Sequence, residues 1–286
     1  METMELELDI AKNQIGIDFD ALEKEVLEES SSLPNELIRP VNHDWINEEV
    51  LFVVVQTNNE EVCPNFALTK VCGKTLTEWV LMAGGHCQKV VINDDNVMET
   101  LRLIQTDKKI IAVFFNDTPL LDRKAFYRIM DHFSSRSINF LQLERGFIVK
   151  TDFLKNNPSF VSGSVGGYED EALFVVDSGR ALSFAFQKLN NKILSFHISN
   201  GVVVLGEHTV FIDADCEIDS GVVIYPNNVI SGQSIISSGC VLESGNVVCN
   251  SIISPNCTLQ GAFVKNSKIS QGKTVDGATP IINCEI

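Results

Sequence analysis

The sequence predicts an α/β domain followed by a parallel β-helix, with an acidic extension in front of both. Three observations support this division. Strand-like and helix-like segments alternate through the middle of the chain, aliphatic residues recur every six positions toward its end, and negative charge is concentrated at its start. We therefore assign an acidic N-terminal extension to residues 1–48, an α/β domain to 49–196 and a β-helix domain to 197–286.

The acidic extension carries most of the charge of the chain. Residues 1–50 have a net charge of −11, against −16 for the whole protein. The segment "DFDALEKEVLEESSSLP" predicts a short helix with Phe19, Leu22 and Val26 on one stripe. Two interpretations stay open, a solvated arm or a segment that binds a basic protein partner. The overall charge argues against nucleic acid or an anionic membrane as a partner.

Composition is that of an ordinary globular protein, with 44% hydrophobic and 21% charged residues. No apolar stretch approaches the roughly 20 residues of a membrane span, and no basic-then-apolar leader opens the chain. We therefore expect a cytoplasmic protein. The eight cysteines form no CxxC pair, which favours free thiols over a zinc site or disulfides.

Strands and helices alternate in the middle of the chain, a pattern typical of a parallel sheet covered on both faces. Each apolar run of strand length is followed by a longer segment with helical periodicity. The predicted strands are 51–55, 89–92, 109–115, 138–149 and 172–176, and the predicted helices are 74–83, 95–105, 121–133 and 180–196.

The C-terminal part has an aliphatic residue at the same position of seven consecutive hexads. A period of six is not helical, and it is typical of a parallel β-helix in which each hexad forms one side of a coil. The residue four places later is mostly small, as a tight corner requires. The aliphatic positions are Ile212, Ile218, Ile224, Ile230, Ile236, Leu242 and Val248, and after register slips they continue through Ile253, Leu259, Val264, Ile269 and Val275.

Four segments in order resemble the bacterial bifunctional N-acetylglucosamine-1-phosphate uridylyltransferase/glucosamine-1-phosphate acetyltransferases. They are "LTKVCGKTLTEWVL" (68–81), "FFNDTPLL" (114–121), "VVDSGRALSFAFQKLNNKI" (175–193) and the β-helix entry "ISNGVVVLGEHTVFIDADCEIDSGVVIYPNNVISG". The resemblance covers about residues 50–286. It implies a Rossmann-like nucleotidyltransferase domain and a short left-handed parallel β-helix of hexapeptide repeats that assembles as a homotrimer.

The loop after the first strand departs from that family. Nucleotidyl transfer needs a loop that donates backbone N–H groups to phosphate, together with basic side chains. Counted back from Gly73, the family's two loop glycines fall on Val55 and Thr57, and its arginine falls on Asn59. Glu60 and Glu61 follow, and a carboxylate ~4 Å from a phosphate charge costs about 4 kcal/mol at an effective dielectric near 20. The sequence predicts that this loop does not hold a triphosphate.

Two aspartates match the metal-binding positions of the family. Asp117 aligns with its metal-binding aspartate, and Asp177 aligns with the asparagine that completes the site. Carboxylate oxygens are suitable Mg²⁺ ligands, so the resemblance implies a site at Asp117 and Asp177. The alternative is structural, with Asp117 and Asp177 each capping the helix that follows it.

The functional interpretations follow from these departures. We favour a protein related to UDP-N-acetylglucosamine pyrophosphorylases and similar to sugar-1-phosphate nucleotidyltransferases, catalytically degenerate (a pseudoenzyme) and serving an assembly or regulatory role. Two alternatives stay open: an active Mg²⁺-dependent enzyme that forms a UDP-sugar from UTP and a sugar 1-phosphate, or a sensor that binds a sugar nucleotide without turnover. No catalytic residue is assigned, and Mg²⁺ is expected only with retained activity. Residues 212–286 contain no histidine for a general base, so acetyltransferase activity is not expected.

Overall fold

The structure is a computed structural model that describes residues 43–93, 96–157 and 167–286. These residues form one compact unit that begins at His43, ahead of the predicted boundary at residue 49. The helix predicted within the acidic extension lies outside the described residues. Within the described part, no helix combines the length and apolar character that crossing a membrane would require.

The α/β part contains seven strands and most of the helices. The strands are β1 (Val50–Gln56), β2 (Lys70–Val71), β3 (Lys74–Thr75), β4 (Gln88–Asn93), β5 (Ile110–Phe115), β6 (Phe140–Gln142) and β7 (Phe147–Lys150). The α-helices are α1 (Asp44–Glu49), α2 (Leu76–Ala83), α3 (Val97–Leu103), α4 (Arg123–Ser135), α5 (Thr151–Asn156) and α6 (Gly179–Ser199). Helix α6 runs through the predicted domain boundary between residues 196 and 197.

Five of these strands form one mixed sheet in the order β4-β1-β5-β7-β6. Strand β1 pairs in parallel with β4 and β5, whereas β7 runs antiparallel to both β5 and β6. Strands β1 and β5 are aliphatic and aromatic on both faces and are almost wholly buried, as expected for central strands covered by helices.

Two of the predicted strands are wrong. The segment 138–149 was expected to be one strand, but it folds back on itself at residues 143–146 to form the β6–β7 hairpin. The segment 172–176 contains a 3₁₀-helix, Glu171–Leu173, followed by non-strand backbone. The sheet is therefore mixed rather than wholly parallel, because the hairpin places β7 antiparallel to β5.

The C-terminal part is a parallel β-helix, which confirms the predicted fold class. Its short strands form three sheets, in the orders β20-β17-β14-β11-β8, β21-β18-β15-β12-β9 and β10-β13-β16-β19. The strands are β8 (Val203–Val204), β9 (Phe211–Ile212), β10 (Glu217–Ile218), β11 (Val223–Ile224), β12 (Val229–Ser231), β13 (Ile235–Ile236), β14 (Val241–Leu242), β15 (Val247–Cys249), β16 (Ile252–Ile253), β17 (Thr258–Gln260), β18 (Phe263–Lys265), β19 (Lys268–Ile269), β20 (Thr274–Asp276) and β21 (Ile281–Ile282).

The hexad residues point inward as predicted. All twelve aliphatic positions from Ile212 to Val275 are buried, and each stacks on its counterpart one coil away, as Ile236 does on Ile218 and Ile253. The corners are filled by small or amide side chains. At one corner, Asn246 donates from Nδ2 to Asn228 Oδ1 at 2.9 Å and accepts from the Ala262 backbone N–H at 2.7 Å.

The α/β part and the β-helix share one hydrophobic core. A single apolar cluster runs from Phe66 and Trp79 through helix α6 to the inward residues of the coils. The Ala214 N–H donates to Cys72 O at 3.0 Å, and Lys74 Nζ lies 2.6 Å from Asp215 Oδ1. The β2–β3 hairpin therefore attaches the sheet to the first coil.

All eight cysteines are free thiols, and none forms a disulfide. Five of them are buried, and burial raises the pKa of Cys72 and of Cys216 to about 12, with the charge of Asp213 adding to the effect. Because the thiolate is the reactive form, these two thiols are inert at neutral pH and serve as packing groups.

Candidate site at the carboxyl edge of the sheet

The candidate site lies where β1 and β5 end. Ligands of open α/β sheets bind outside the carboxyl ends of the strands, and three segments meet there. They are the loop after β1 (57–69), the turn after β5 (116–121) and the chain entering α6 (176–178). The Val176 N–H donates to Asp117 O at 2.7 Å, so the two predicted metal-binding aspartates belong to neighbouring segments.

The start of the loop after β1 is fixed by Asn116. The Thr57 N–H and the Thr57 hydroxyl both donate to Asn116 Oδ1, at 3.0 and 2.8 Å, and Asn116 Nδ2 donates to Thr57 O at 3.1 Å. Both residues are buried. These bonds use backbone and amide groups that would otherwise face a ligand at the strand ends.

The rest of the loop turns toward the shared core. Phe66 is fully buried in the cluster that joins the sheet to the β-helix, and Val62 and Cys63 pack against that cluster. Glu60 and Glu61 are exposed at the loop surface. The loop therefore contributes apolar contacts to the core and negative charge to solvent.

Arg145 engages the carboxylate of Asp117. Arg145 Nε lies 3.1 and 2.9 Å from Asp117 Oδ1 and Oδ2, and Arg145 Nη2 lies 2.6 Å from Oδ2. The side chain of Asp117 is 9% exposed and that of Arg145 is 36% exposed. The guanidinium also lies 4.0 Å from the centroid of the Phe115 ring. Such a bidentate, charge-assisted pair is among the stronger polar contacts in proteins.

The capping alternative for the two aspartates is wrong. The cap of α4 is Asp122, whose Oδ1 accepts from the Ala125 N–H at 2.9 Å. The cap of α6 is Ser178, whose Oγ accepts from the Ala181 N–H at 3.2 Å. Asp117 is instead an ion-pair partner, and Asp177 is exposed one residue before the cap.

The arrangement at Asp117 does not fit a Mg²⁺ ligand, because both of its carboxylate oxygens already accept from the guanidinium. Among the described residues, no cluster of three or more His, Cys, Asp or Glu side chains is placed to hold a metal ion. Metal binding by Asp117 and Asp177 stays a prediction, and it requires Arg145 to move.

A cavity of about 560 Å³ is lined by residues close in sequence to this pair, although neither Asp117 nor Arg145 lines it. The turn after β5 contributes Leu120, and Glu144 precedes Arg145 in the chain. Phe174 and Phe184 form an apolar wall with ring centroids 5.0 Å apart, and Arg128 pairs with Asp170 at the rim. This volume is within the range of small-molecule pockets.

Sequence reasoning missed Arg145 as a member of the site. The residue lies 28 positions after Asp117, inside the segment expected to be a continuous strand. The available signal was Gly146, because a glycine in an apolar run often marks a bend or a close backbone approach. In the structure Gly146 has φ +117°, and the hairpin that it closes returns Arg145 to the end of β5.

Comparison with known proteins agrees with the motifs. The chain is 32% identical to the bifunctional protein GlmU of Clostridium acetobutylicum over 105 residues, which are 37% of this chain and 23% of the relative. It is 32% identical to GlmU of Clostridium botulinum strain Langeland over 124 residues, 43% of this chain and 27% of the relative. With GlmU of strain Eklund 17B it shares 26% identity over 199 residues, 68% of this chain and 40% of the relative.

Two further comparisons add no argument about function. No protein-family model matches the chain. Rv0371c from Mycobacterium tuberculosis H37Rv aligns with a TM-score of 0.36 and 12% identity, covering 49% of this chain and 97% of that one; this score is too low to argue a shared fold.

The chain thus spans between 23% and 40% of the length of these curated relatives. The matches confirm the resemblance that the sequence motifs predicted. The protein is similar to the bifunctional GlmU proteins and diverges from them at most aligned positions.

Proposed function

We propose that this protein is a catalytically degenerate relative of sugar-1-phosphate nucleotidyltransferases that serves an assembly or regulatory role in the cytoplasm. One observation carries the proposal: the loop after β1 packs Phe66 into the shared core and exposes Glu60 and Glu61. A loop that binds a triphosphate needs the opposite properties, with backbone N–H groups and cations turned toward the ligand.

Electrostatics gives the physical reason. The triphosphate of UTP carries several negative charges, and the transfer reaction concentrates charge at one phosphorus. Asp117 neutralises the charge of Arg145, which lies at this edge of the sheet. The exposed Glu60 and Glu61 on the adjacent loop add negative charge that opposes the approach of a triphosphate.

The first prediction is that the full chain releases no pyrophosphate above the protein-free blank from UTP, N-acetylglucosamine 1-phosphate and Mg²⁺. The reason is that neither the loop nor Asp117 offers the contacts that the transition state needs. A coupled pyrophosphate assay measures this, with an active bifunctional GlmU protein as the positive control. Turnover that is lost in Asp117→Asn would establish the active enzyme and refute the proposal.

A second candidate, the sugar-nucleotide sensor, is favoured by the cavity of about 560 Å³ that Phe174 and Phe184 line. Its apolar wall of Phe174 and Phe184 suits a sugar or base ring. In the same assay buffer, a melting temperature raised by UDP-N-acetylglucosamine without turnover would support the sensor, and an unchanged melting temperature would support the assembly role.

The proposed assembly is a homotrimer through the β-helix. It is supported by the resemblance and by an apolar column on the outer surface of the sheet that contains β9, β12, β15 and β18. Phe211, Val229, Val247 and Phe263 are in register on successive coils. Phe263 is 40% exposed and Phe211 37%. A continuous exposed apolar stripe of this kind is typical of a protein interface.

The second prediction is that Phe263→Asp converts the trimer to monomer without unfolding the chain. A charge at the end of this apolar column opposes association, and the Phe263 side chain already faces outward. Sedimentation velocity measures the change from three chains of 31.6 kDa to one. Ile252→Asp, on the outer surface of another sheet, is the matched control and stays trimeric. A monomeric wild-type chain would refute the trimer.

A further inference from the structure

We infer that Arg145 takes the place of the divalent cation that the resemblance assigns to Asp117 and Asp177, and that its guanidinium closes this position to metal. The inference deepens the proposed function, because a closed metal position excludes the Mg²⁺-dependent reaction. The inference and the proposed function can each be refuted without the other. Pyrophosphate release tests the proposed function, whereas metal binding in the absence of any nucleotide tests this inference.

The contacts at Asp117 leave no room for a second cation. Three guanidinium–carboxylate distances between 2.6 and 3.1 Å use both oxygens of Asp117. A Mg²⁺ ion binds carboxylate oxygen at about 2.1 Å, so it would compete for the same lone pairs. It would also lie against a permanent positive charge, since arginine does not lose its proton in proteins.

The guanidinium is held in place from two further directions. Its plane lies over the Phe115 ring at 4.0 Å from the centroid, a favourable cation–π distance. Its backbone is fixed by the β6–β7 hairpin, where the Leu143 N–H and Gln142 Nε2 both donate to Gly146 O, at 3.1 and 2.9 Å. Arg145 is therefore a preorganised cation rather than a mobile surface side chain.

Burial favours a cation beside the ionised carboxylate of Asp117. The Asp117 side chain is 9% exposed, and a carboxylate in that environment needs an opposite charge. Either an arginine or a metal ion satisfies this requirement. In this chain the arginine does so, and Asp177 lies exposed on the neighbouring segment, without a salt bridge to any described residue. Removal of Arg145 would therefore free the Asp117 carboxylate for a divalent cation, with Asp177 available on the neighbouring segment.

The chain contains a matched control pair. Arg128 and Asp170 form a similar bidentate contact, with distances of 3.2, 3.0 and 2.8 Å, and the Asp170 side chain is also 9% exposed. Asp170 has a structural role, since its Oδ1 accepts from the Ala172 N–H. It does not match a metal-binding position of the family, so its release from Arg128 should not create a metal site.

The test is a titration of the purified full chain with Mn²⁺, in which electron paramagnetic resonance measures the free ion. We expect the wild type and Arg128→Ala to show no saturable site. Arg145→Ala should bind one Mn²⁺ per chain at least about tenfold more tightly than the wild type. Arg145→Ala/Asp117→Asn should lose that site. Mn²⁺ should correspondingly raise the melting temperature of Arg145→Ala alone.

Two outcomes would overturn the inference. One is a saturable Mn²⁺ site in the wild type that disappears in Asp117→Asn. Arg145 is unchanged in both of these proteins. The other is a folded Arg145→Ala chain that binds no Mn²⁺. If Arg145→Ala does not fold, Arg145→Gln keeps a hydrogen-bond donor near Asp117 while removing the charge, and the same Mn²⁺ site is expected there.

Discussion

The substitution Ile236→Asp should unfold the β-helix. Ile236 is fully buried and stacks on Ile218 and Ile253 in the coils before and after it. Loss of the aliphatic side chain alone costs about 2–5 kcal/mol. The new carboxylate has no buried partner on this face, so it adds a desolvation cost or must be protonated. Together these terms approach the roughly 5–15 kcal/mol that stabilises a typical domain.

The damage should extend beyond the β-helix, because Ile236 belongs to the apolar cluster that also contains Phe66 and Trp79. We expect urea unfolding followed by circular dichroism to show loss of the native transition for Ile236→Asp. The control is Ile252→Asp. Ile252 is 41% exposed on the outer surface of the next coil, and its substitution should change the free energy of unfolding by less than about 1 kcal/mol. A folded, oligomeric Ile236→Asp chain would contradict the inward register.

The β-helix was predictable because its geometry imposes a strict period on the sequence. Each coil places one inward aliphatic residue on each of three sheets, so the hexad pattern survives wherever the coils are regular. The slip at Ile253 has a structural reason. Ser251 fills the corner at 1% exposure while Ile252 turns outward, so one turn is a residue shorter and the hexad becomes a pentad.

The β6–β7 hairpin was not predictable in the same way. Residues 138–149 are apolar enough to be one strand, and the turn between the two short strands has no Asn-Gly or Pro signal. What separates the strands is Gly146, at φ +117°, and Gln142, whose side-chain amide donates to the carbonyls of Leu143 and Gly146. The turn depends on these local contacts, and hydrophobic periodicity does not report them.

The contacts of the candidate site could not be predicted from the sequence. Motif alignment placed Asp117 and Asp177 at the ends of the sheet, and the structure joins their backbones through the Val176 N–H. The pairing of Asp117 with Arg145 depends on the hairpin returning to β5, a contact between residues far apart in sequence. The sequence alone therefore predicted two carboxylate ligands, whereas the fold pairs the Asp117 carboxylate with the Arg145 guanidinium.

Packing contacts also determine the conformation of the loop after β1. Phe66 occupies a fully buried position in the shared core, and the hydrogen bonds between Thr57 and Asn116 hold the loop against the turn after β5. A loop that binds phosphate through its backbone N–H groups would have to lose these contacts as well as gain glycines. We therefore regard the loop as structural, and the site chemistry as dependent on the Asp117–Arg145 pair.

The substitution Gly146→Ala should disrupt both the sheet and this pair. A Cβ at residue 146 would lie 2.2 Å from Val113 O, and φ is +117°, where an L side chain is strained. The atom that it meets is backbone of the central strand β5, which is held between β1 and β7 and cannot move without breaking pairing. We expect a loss of about 3 kcal/mol or more in the free energy of unfolding.

Gly146→Ala should destabilise strand β7 more than the rest of the fold. Phe147 pairs with Val113, and Ile148 pairs with Ala112, so displacement of the hairpin should accelerate amide hydrogen exchange in β7 first. Gly179→Ala is the matched control, since a Cβ there meets no atom within 4 Å and the residue lies in the first turn of α6. Its free energy of unfolding should stay within about 1 kcal/mol of the wild type. If Gly146→Ala matches Gly179→Ala in both stability and exchange, the hairpin does not fix Arg145, and the guanidinium reaches Asp117 by side-chain flexibility instead.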